Sequence, residues 1–490
     1  TMYVFNLEQR LLMKNLHVYR GQSAVNDFLN PENHLTPLVE LSEKLNPFIA
    51  DQVHIYIKLQ TFLPLMNIKS IPAYEMLKQD MSPTKKIIES SSGNMAFSLS
   101  ILSRSAGYEK MKAVISHEIS LGKLQLLLFS GAEVLVNQEP ICPNPDSPNS
   151  GIQIAKKTGQ KTDWKNLNQY ANLANPEGHY YKCGQQILKQ MDNNVQIFCT
   201  SLGTTGSMCG ISQALKKKTS AFCLGVVRKP NNPVPGPRTL NLLKMINFNW
   251  QNHIDALIDE GTRHAYEQSL KLCRAGILAG PSSGLNLAGL LRFLRQEKLK
   301  HGLEKFRNSK GEINCVILAC DLPFLYMDEY FKYLPRSFFP KIFHEKKLLN
   351  HINFRQTGKQ QIIVSAATVM KKFFMCTPGR LWRTMTEGKS LSVNESYILI
   401  DLRSEKSFSC GHIPESINIS ESQLIAQVDA LSEQWRDRKL ILICEYGELS
   451  YFYARILQDK GYYGFSLSGG FIKWSELNYP RSSLTCPIRR

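Results

Sequence analysis

Three short loops in the first two thirds of the chain place small hydroxyl residues and glycine just ahead of a helical pattern. Ser90-Ser91-Ser92-Gly93-Asn94-Met95 follows a short apolar strand pattern. Ser201-Leu202-Gly203-Thr204-Thr205-Gly206-Ser207 follows the apolar run 195–200 and precedes a helical pattern that starts at Met208. Gly280-Pro281-Ser282-Ser283-Gly284 again leads into a helical pattern. Such turns expose backbone N–H groups at a helix start, and these bind a carboxylate or a phosphate together with nearby hydroxyls. The second loop is not a Walker A loop, because no Lys-Ser/Thr pair follows its second glycine. It is not a dinucleotide fingerprint either, since the G-x-G-x-x-G spacing is absent. A different chemistry is offered near the other end. Cys444 closes the apolar run 439–444 and precedes a helical pattern over 449–460. A cysteine on such a loop has N–H groups aimed at its sulfur, which stabilises a thiolate or the charge of a persulfide.

The elements that must position these groups alternate. Short runs rich in β-branched residues at 55–58, 112–115, 133–136, 195–200, 224–227 and 315–319 read as strands. Helical patterns lie between them at 95–106, 119–129, 208–217, 262–275 and 285–297. Strand and helix in alternation predict an α/β fold around a parallel sheet. Residues 397–402, 439–444 and 464–467 read as strands of a second, separate α/β unit of about 100 residues, within the usual domain range.

Order and spacing carry further information. The three loops follow Thr36-Pro37-Leu38-Val39-Glu40-Leu41 and Lys58-Leu59-Gln60-Thr61-Phe62-Leu63-Pro64, then Asn67-Ile68-Lys69. Together with Asn175-Pro176-Glu177-Gly178-His179-Tyr180, they resemble the cysteine synthase group of pyridoxal-phosphate enzymes, fold type II, over about 300 residues. The resemblance implies two α/β subdomains with pyridoxal 5'-phosphate between them. It implies that Lys69 is the Schiff-base lysine, a role that suits a buried amine of depressed pKa. It further implies that Asn94 meets the cofactor's phenolic oxygen and that Gly203, Thr204, Thr205, Gly206 and Ser207 cradle its phosphate. Ser282 would face the pyridine nitrogen, and Ser91, Ser92, Gly93 and Met95 would form the substrate loop. A homodimer through this part is also implied. The chain departs from the family at Met95, where the loop has Thr, and at Thr205, where the phosphate loop has Gly. These departures bear on the substrate more than on the cofactor.

The last part holds Ile400-Asp401-Leu402-Arg403, then Gly411-His412-Ile413-Pro414, then Cys444-Glu445-Tyr446-Gly447-Glu448-Leu449-Ser450, then Gly469-Gly470-Phe471-Ile472-Lys473-Trp474. In this order the segments resemble the rhodanese domain. The resemblance implies that Cys444 carries sulfane sulfur and that Glu445, Tyr446, Gly447, Glu448, Leu449 and Ser450 form its loop. Leu449 stands where that family has Arg, and two residues of the loop are acids. This argues for a persulfide donor over thiosulfate.

The reading of function is a β-replacement on an activated serine, O-acetylserine or O-phosphoserine, giving cysteine or a related amino acid. The expected partners are that amino acid and a sulfur donor, persulfide or sulfide. Two alternatives stay open: a synthase using a non-sulfur nucleophile, and a scaffold that has lost its chemistry.

Composition bounds the rest. The chain has 490 residues, 43% hydrophobic and 20% charged, which excludes wholesale disorder. Its twelve cysteines form no CxxC pair or Cys/His cluster, so no metal site is expected. The greasy stretch 121–136 is broken by Gly122, Lys123, Gln125, Ser130 and Glu133, so no membrane span is expected. Glu8, Gln9, Arg10 and Lys14 interrupt any signal-like core, and a cytoplasmic protein is expected. The formal charge is +18. Half of that excess falls in 335–389, with eleven Lys/Arg against two acids and many aromatics. Composition therefore divides the chain into 1–334, a basic connector at 335–389, and 390–490. No nucleic-acid motif accompanies the charge, so nucleic-acid binding is not expected.

Overall fold

The computed structural model describes residues 17–80, 86–91, 93–138, 147–244, 246–343, 362–420, 423–424 and 435–483. It divides into two compact units, Thr1–Phe339 and Pro340–Arg490.

The first unit holds two sheets. The larger takes β1 (Leu38–Glu40), β2 (Val53–Leu59), β7 (Ile197–Ser201), β8 (Phe222–Arg228), β9 (Ala256–Glu260) and β10 (Ile313–Ala319). Their order is β1-β2-β10-β7-β8-β9, with only β1 antiparallel to its neighbour. Every residue of β10 is buried, as a central parallel strand requires when helices cover both faces. Its side chains alternate: Cys315 and Ile317 enter one core cluster, Val316 and Leu318 the other. The smaller sheet takes β3 (Lys86–Ser90), β4 (Lys110–Ser116), β5 (Glu133–Asn137) and β6 (Trp164–Lys165), in the parallel order β5-β4-β3-β6.

The helices that matter for the cleft are α1 (Ser70–Gln79), α2 (Asn94–Ser105), α3 (Leu121–Phe129), α4 (Ala174–His179), α5 (Gly206–Lys216), α6 (Thr262–Arg274), α7 (Pro281–Lys300) and α8 (Met327–Tyr333). α1, α2 and α3 pack Met76, Leu99 and Leu127 on the smaller sheet. α7 begins with Pro at its first position, where the missing N–H costs nothing, and is buried from 281 to 291. Each fully buried Leu there contributes roughly 1.5–3 kcal/mol. Among the described residues, no helix is long and apolar enough to cross a membrane.

The second unit holds one parallel sheet. It comprises β11 (Ile363–Val364), β12 (Tyr397–Asp401), β13 (Ile417–Asn418), β14 (Lys439–Ile443) and β15 (Tyr463–Leu467), in the order β11-β15-β14-β12-β13. Its helices include α9 (Ala366–Val369), α10 (Pro378–Thr386), α11 (Glu448–Asp459) and α12 (Gly470–Glu476).

The stretch 335–389 does not behave as one connector. Phe338 and Phe339 pack with Tyr266, Tyr330 and Leu334 of the first unit. Residues 344–361 lie outside the described residues. From 363 onward the chain belongs to the second sheet and its core. β11 pairs with β15, and Val369, Phe373, Phe374 and Leu381 are buried against Leu399, Ile441 and Trp474. Composition misleads here because α10 is amphipathic. Leu381 is buried, whereas Arg380 and Arg383 are exposed on the same short helix.

Candidate active site

The C-terminal ends of β7 and β10 and the start of α2 meet at a cleft of about 850 Å³. Lys69, Ser91, Asn94, Met95, Gly203, Thr204, Thr205, Ser207 and Ser282 all line it. Gly93 and Gly206 support it from behind, and Ser92 lies outside the described residues. Residues from three distant loops are thus brought together.

The loop after β7 is built as an anion cradle. Asn286 Oδ1 accepts the Ser201 N–H at 2.6 Å and fixes the strand end. Thr205 takes a left-handed φ of 70°, which turns the chain into α5. The N–H groups of Gly203, Thr204, Thr205 and Gly206 have no acceptor among the described residues. A Cβ on Gly206 would lie 2.1 Å from Asn175 Oδ1, so only glycine lets α5 start against α4. Asn175 Nδ2 in turn donates to Thr204 Oγ1 at 3.2 Å and to the Gln169 carbonyl at 2.7 Å. Unspent donors at a helix N-terminus fit a phosphate group.

Lys69 stands immediately ahead of α1. Its own N–H donates to Asn67 Oδ1 at 2.9 Å, and the Ile68 N–H donates to the Cys320 carbonyl at 2.7 Å. Burial holds its ammonium pKa below the ordinary lysine value, against the opposite pull of Cys320 and Asp321. Depression favours the neutral, nucleophilic amine. His179 is held at about 3, by burial first and by Lys69 second, so its ring is neutral.

Five further cleft residues, Asp321, Tyr326, Lys123, Cys320 and Arg238, are not among the site residues expected from the sequence. Asp321 is 2% exposed, and its Oδ2 accepts from Asn94 Nδ2 at 2.5 Å and from the Tyr326 hydroxyl. Its Oδ1 has no hydrogen-bond partner among the described residues. Burial raises its carboxyl pKa, opposed by Lys123 and by these hydrogen bonds. Lys123 is buried, with its Nζ 4.6 Å from the centre of the Tyr326 ring and its stem against Gly93. Cys320 and Arg238 also line the cleft. The one available hint was Lys123 itself, a charge inside an apolar helical run.

In the second unit, Cys444 follows β14 and is buried. Its Sγ accepts from the N–H groups of Gly447 and Ser450, each at 3.2 Å, and from Ser450 Oγ at 3.3 Å. Three donors on one sulfur suit a thiolate or persulfide. Glu445 lies 3.6 Å from Arg403, which also pairs with the buried Asp401 at 2.7 Å. Tyr446 and Leu449 are exposed at the mouth. Of Glu448 only the backbone, at the start of α11, is described. Gly469 and Gly470 both have positive φ, and a Cβ on Gly470 would lie 2.3 Å from the Cys444 carbonyl. That close approach lets the Phe471 N–H donate to the Cys444 carbonyl at 2.8 Å and clamps α12 to the loop.

Residues 29–305 match the family of pyridoxal-phosphate dependent enzymes, and residues 377–477 match the rhodanese-like domain. Cysteine synthase B of Pseudomonas aeruginosa is 27% identical over 268 residues, covering 53% of this chain and 87% of that protein. Cystathionine beta-synthase of Saccharomyces cerevisiae is 27% identical over 284 residues, covering 53% of this chain and 55% of that protein. The fold is similar to a hydrogen sulfide-producing enzyme from Fusobacterium nucleatum, with TM-score 0.53, 22% identity, and coverage of 62% of this chain and 99% of that one. It is also similar to O-ureido-L-serine synthase, with TM-score 0.52, 20% identity, and coverage of 63% and 95%. The matched span takes in Lys69, the phosphate-type cradle and Ser282, and the chain therefore belongs to the pyridoxal-phosphate dependent enzymes and carries a rhodanese-like domain in its second unit.

Proposed function

We propose that the first unit catalyses β-replacement on an activated serine, O-acetylserine or O-phosphoserine, to give cysteine or a related amino acid. The observation that carries this reading is the convergence of Lys69, Asn94, the 203–207 cradle and Ser282 on one cleft. The cysteine synthase and cystathionine beta-synthase relatives support it.

The unspent N–H groups of the cradle and the hydroxyls of Thr204, Thr205 and Ser207 would hold the cofactor's phosphate. Ser282 would meet the pyridine nitrogen as a neutral hydroxyl, and Asn94 the phenolic oxygen. Bound pyridoxal phosphate supplies the electron sink that makes the substrate Cα proton acidic and lets the β-substituent leave. Lys69 Nζ would anchor the cofactor and then take the proton from the substrate Cα, a task suited to a neutral amine. Ser91 and the N–H groups at the start of α2 would hold the substrate carboxylate, with Ser92 and Gly93 in the same loop. Met95 brings a thioether where a hydroxyl would donate, which loosens that grip. Asp321 orients Asn94. Assembly as a homodimer through this unit is part of the same reading.

In the second unit, the Cys444 thiolate would attack the outer sulfur of a persulfide. A new S–S bond forms on Cys444, and the donor leaves as a thiol that keeps the electron pair of the broken bond. A thiol would then attack the inner sulfur of the Cys444 persulfide, releasing sulfide and leaving a mixed disulfide with Cys444. A further thiol would resolve that disulfide, freeing the Cys444 thiolate and forming a disulfide between the two thiols. With Glu445 beside Arg403 and Leu449 at the mouth, the site offers little to a dianion such as thiosulfate. A second reading keeps the same first half-reaction and replaces sulfide by a non-sulfur nucleophile. It is favoured by the departures at Met95 and Thr205.

The test is the visible absorption of the purified protein with and without O-acetylserine, for wild type and Lys69→Ala. The expected result is a coloured wild type whose band shifts with substrate and a variant that shows no shift. A colourless wild type would sink the proposal. Product analysis with sulfide and with amine nucleophiles separates the two readings.

A further inference from the structure

A second polar cluster stands apart from the cofactor cleft. Arg228 closes β8 and keeps 9% of its surface exposed. Its Nε donates to the Pro237 carbonyl at 3.1 Å. Its two Nη groups have no hydrogen-bond or ion-pair partner among the described residues. The carboxylates nearby are engaged elsewhere. Glu260, the register neighbour of Arg228 on β9, accepts from the Gly261 N–H at 2.9 Å and from His264 Nδ1 at 2.8 Å. Asp259 pairs with Arg292 at 2.9 Å, and Arg292 Nη1 is 3.9 Å from Glu260. A guanidinium does not shed its proton, and a buried cation with unspent donors is costly. Arg228 faces a surface pocket that shares no lining residue with the cleft, and Thr239, Asn241, Asp259 and Arg292 also line it.

We propose that this pocket binds the oxyanion of a small metabolite, a carboxylate or a phosphate, through the two Nη groups of Arg228. The planar fork of a guanidinium matches two oxygens of such a group. Thr239 Oγ1 accepts the Leu242 N–H at 3.5 Å and keeps its own proton to donate. Asp259 and Glu260 carry two negative charges against the two positive charges of Arg292 and Arg228, so the four groups sum to zero. Both carboxylates are engaged by Arg292 or by hydrogen bonds, whereas the Nη donors of Arg228 have no partner among the described residues. The pocket is also wired to the cofactor site. The Arg228 N–H donates to the Arg238 carbonyl at 3.0 Å, and the Arg238 N–H donates to the Leu202 carbonyl at 2.8 Å, one residue before Gly203. An occupant that pins Arg228 therefore steadies the chain leading into the cradle.

The test titrates inorganic phosphate and, in a separate arm, acetate into the cofactor-loaded enzyme by calorimetry. The cofactor's own phosphate fills the cradle, and the two arms separate a phosphate from a carboxylate ligand. Wild type should bind one of them. Arg228→Gln should bind it at least about tenfold more weakly while keeping the cofactor absorbance and the unfolding midpoint. Thr239→Glu, which adds a like charge at the pocket, should also abolish binding and decides the matter if Arg228→Gln does not fold. No binding by wild type at millimolar ligand, or equal binding by wild type and Thr239→Glu, would overturn the proposal.

Discussion

Asn94 donates a 2.5 Å hydrogen bond to Asp321, a residue 227 positions further along the chain. Asn94 opens α2, which rests on the four-stranded sheet, whereas Asp321 follows β10 of the six-stranded sheet. One hydrogen bond thus ties the two sheets across the mouth of the cleft. The same carboxylate oxygen also takes the Tyr326 hydroxyl, so its loss affects both sides together.

Asp321→Ala should therefore weaken cofactor binding. It leaves the Asn94 amide and the Tyr326 hydroxyl without their acceptor, each an uncompensated polar group. A rise of about tenfold in the dissociation constant is expected, read by absorbance as cofactor is added back to stripped protein. Asp321→Asn keeps an acceptor oxygen and should fall between the two.

Glu89 should make stability depend on pH. Burial raises its carboxyl pKa to about 8, from an ordinary 4.5, although its Oε2 accepts from Asn166 Nδ2 at 3.1 Å and the Asn168 N–H at 3.0 Å. The folded chain then holds the proton more tightly than the unfolded chain. Its contribution is complete below about pH 4.5 and is lost as pH rises to about 8. Glu89→Gln carries no proton to lose. Compared by urea unfolding, it should gain on wild type as pH climbs through that window, by on the order of a few kcal/mol at the alkaline end. A constant difference at all pH values would contradict this.

Ser450→Ala removes the hydroxyl donor on Cys444 Sγ and keeps the two N–H donors. Alkylation at Cys444, followed by mass spectrometry of that peptide at neutral pH, should slow by roughly threefold to tenfold. An unchanged rate would mean that the main-chain donors alone set the thiolate.

Gly470→Ala should destabilise the second unit by more than about 2 kcal/mol, since the added Cβ meets a carbonyl at φ 63°. Trp474 sits on the same helix with its Nε1 hydrogen-bonded to the Pro480 carbonyl at 2.8 Å, and its fluorescence reports the unfolding.

The parts legible in the sequence are those that depend on local pattern. The strand runs at 55–58, 133–136 and 315–319 fall inside β2, β5 and β10, and the three loops precede helices as their hydroxyls and glycines suggested. Short elements with little periodicity, such as β6 and β13 with two residues each, gave no signal. The basic stretch 363–386 was opaque because four exposed cations, Lys371, Lys372, Arg380 and Arg383, are interspersed among the apolar side chains that hold it in the core. Asp321 and Lys123 were opaque for another reason. Each is a single charge without a motif, and each meets the loop at 91–95 only through the order of strands in two sheets.

Two of the three donors on the Cys444 sulfur belong to the main chain. Main-chain donors survive any substitution that preserves the turn, so the cradle makes no demand on the side chains of Glu445, Tyr446 or Leu449. Those positions form an exchangeable collar around a fixed socket. A lineage could trade acid for base or aromatic for small there and acquire a new sulfur partner in few steps, while Gly447, Gly469 and Gly470 stay locked.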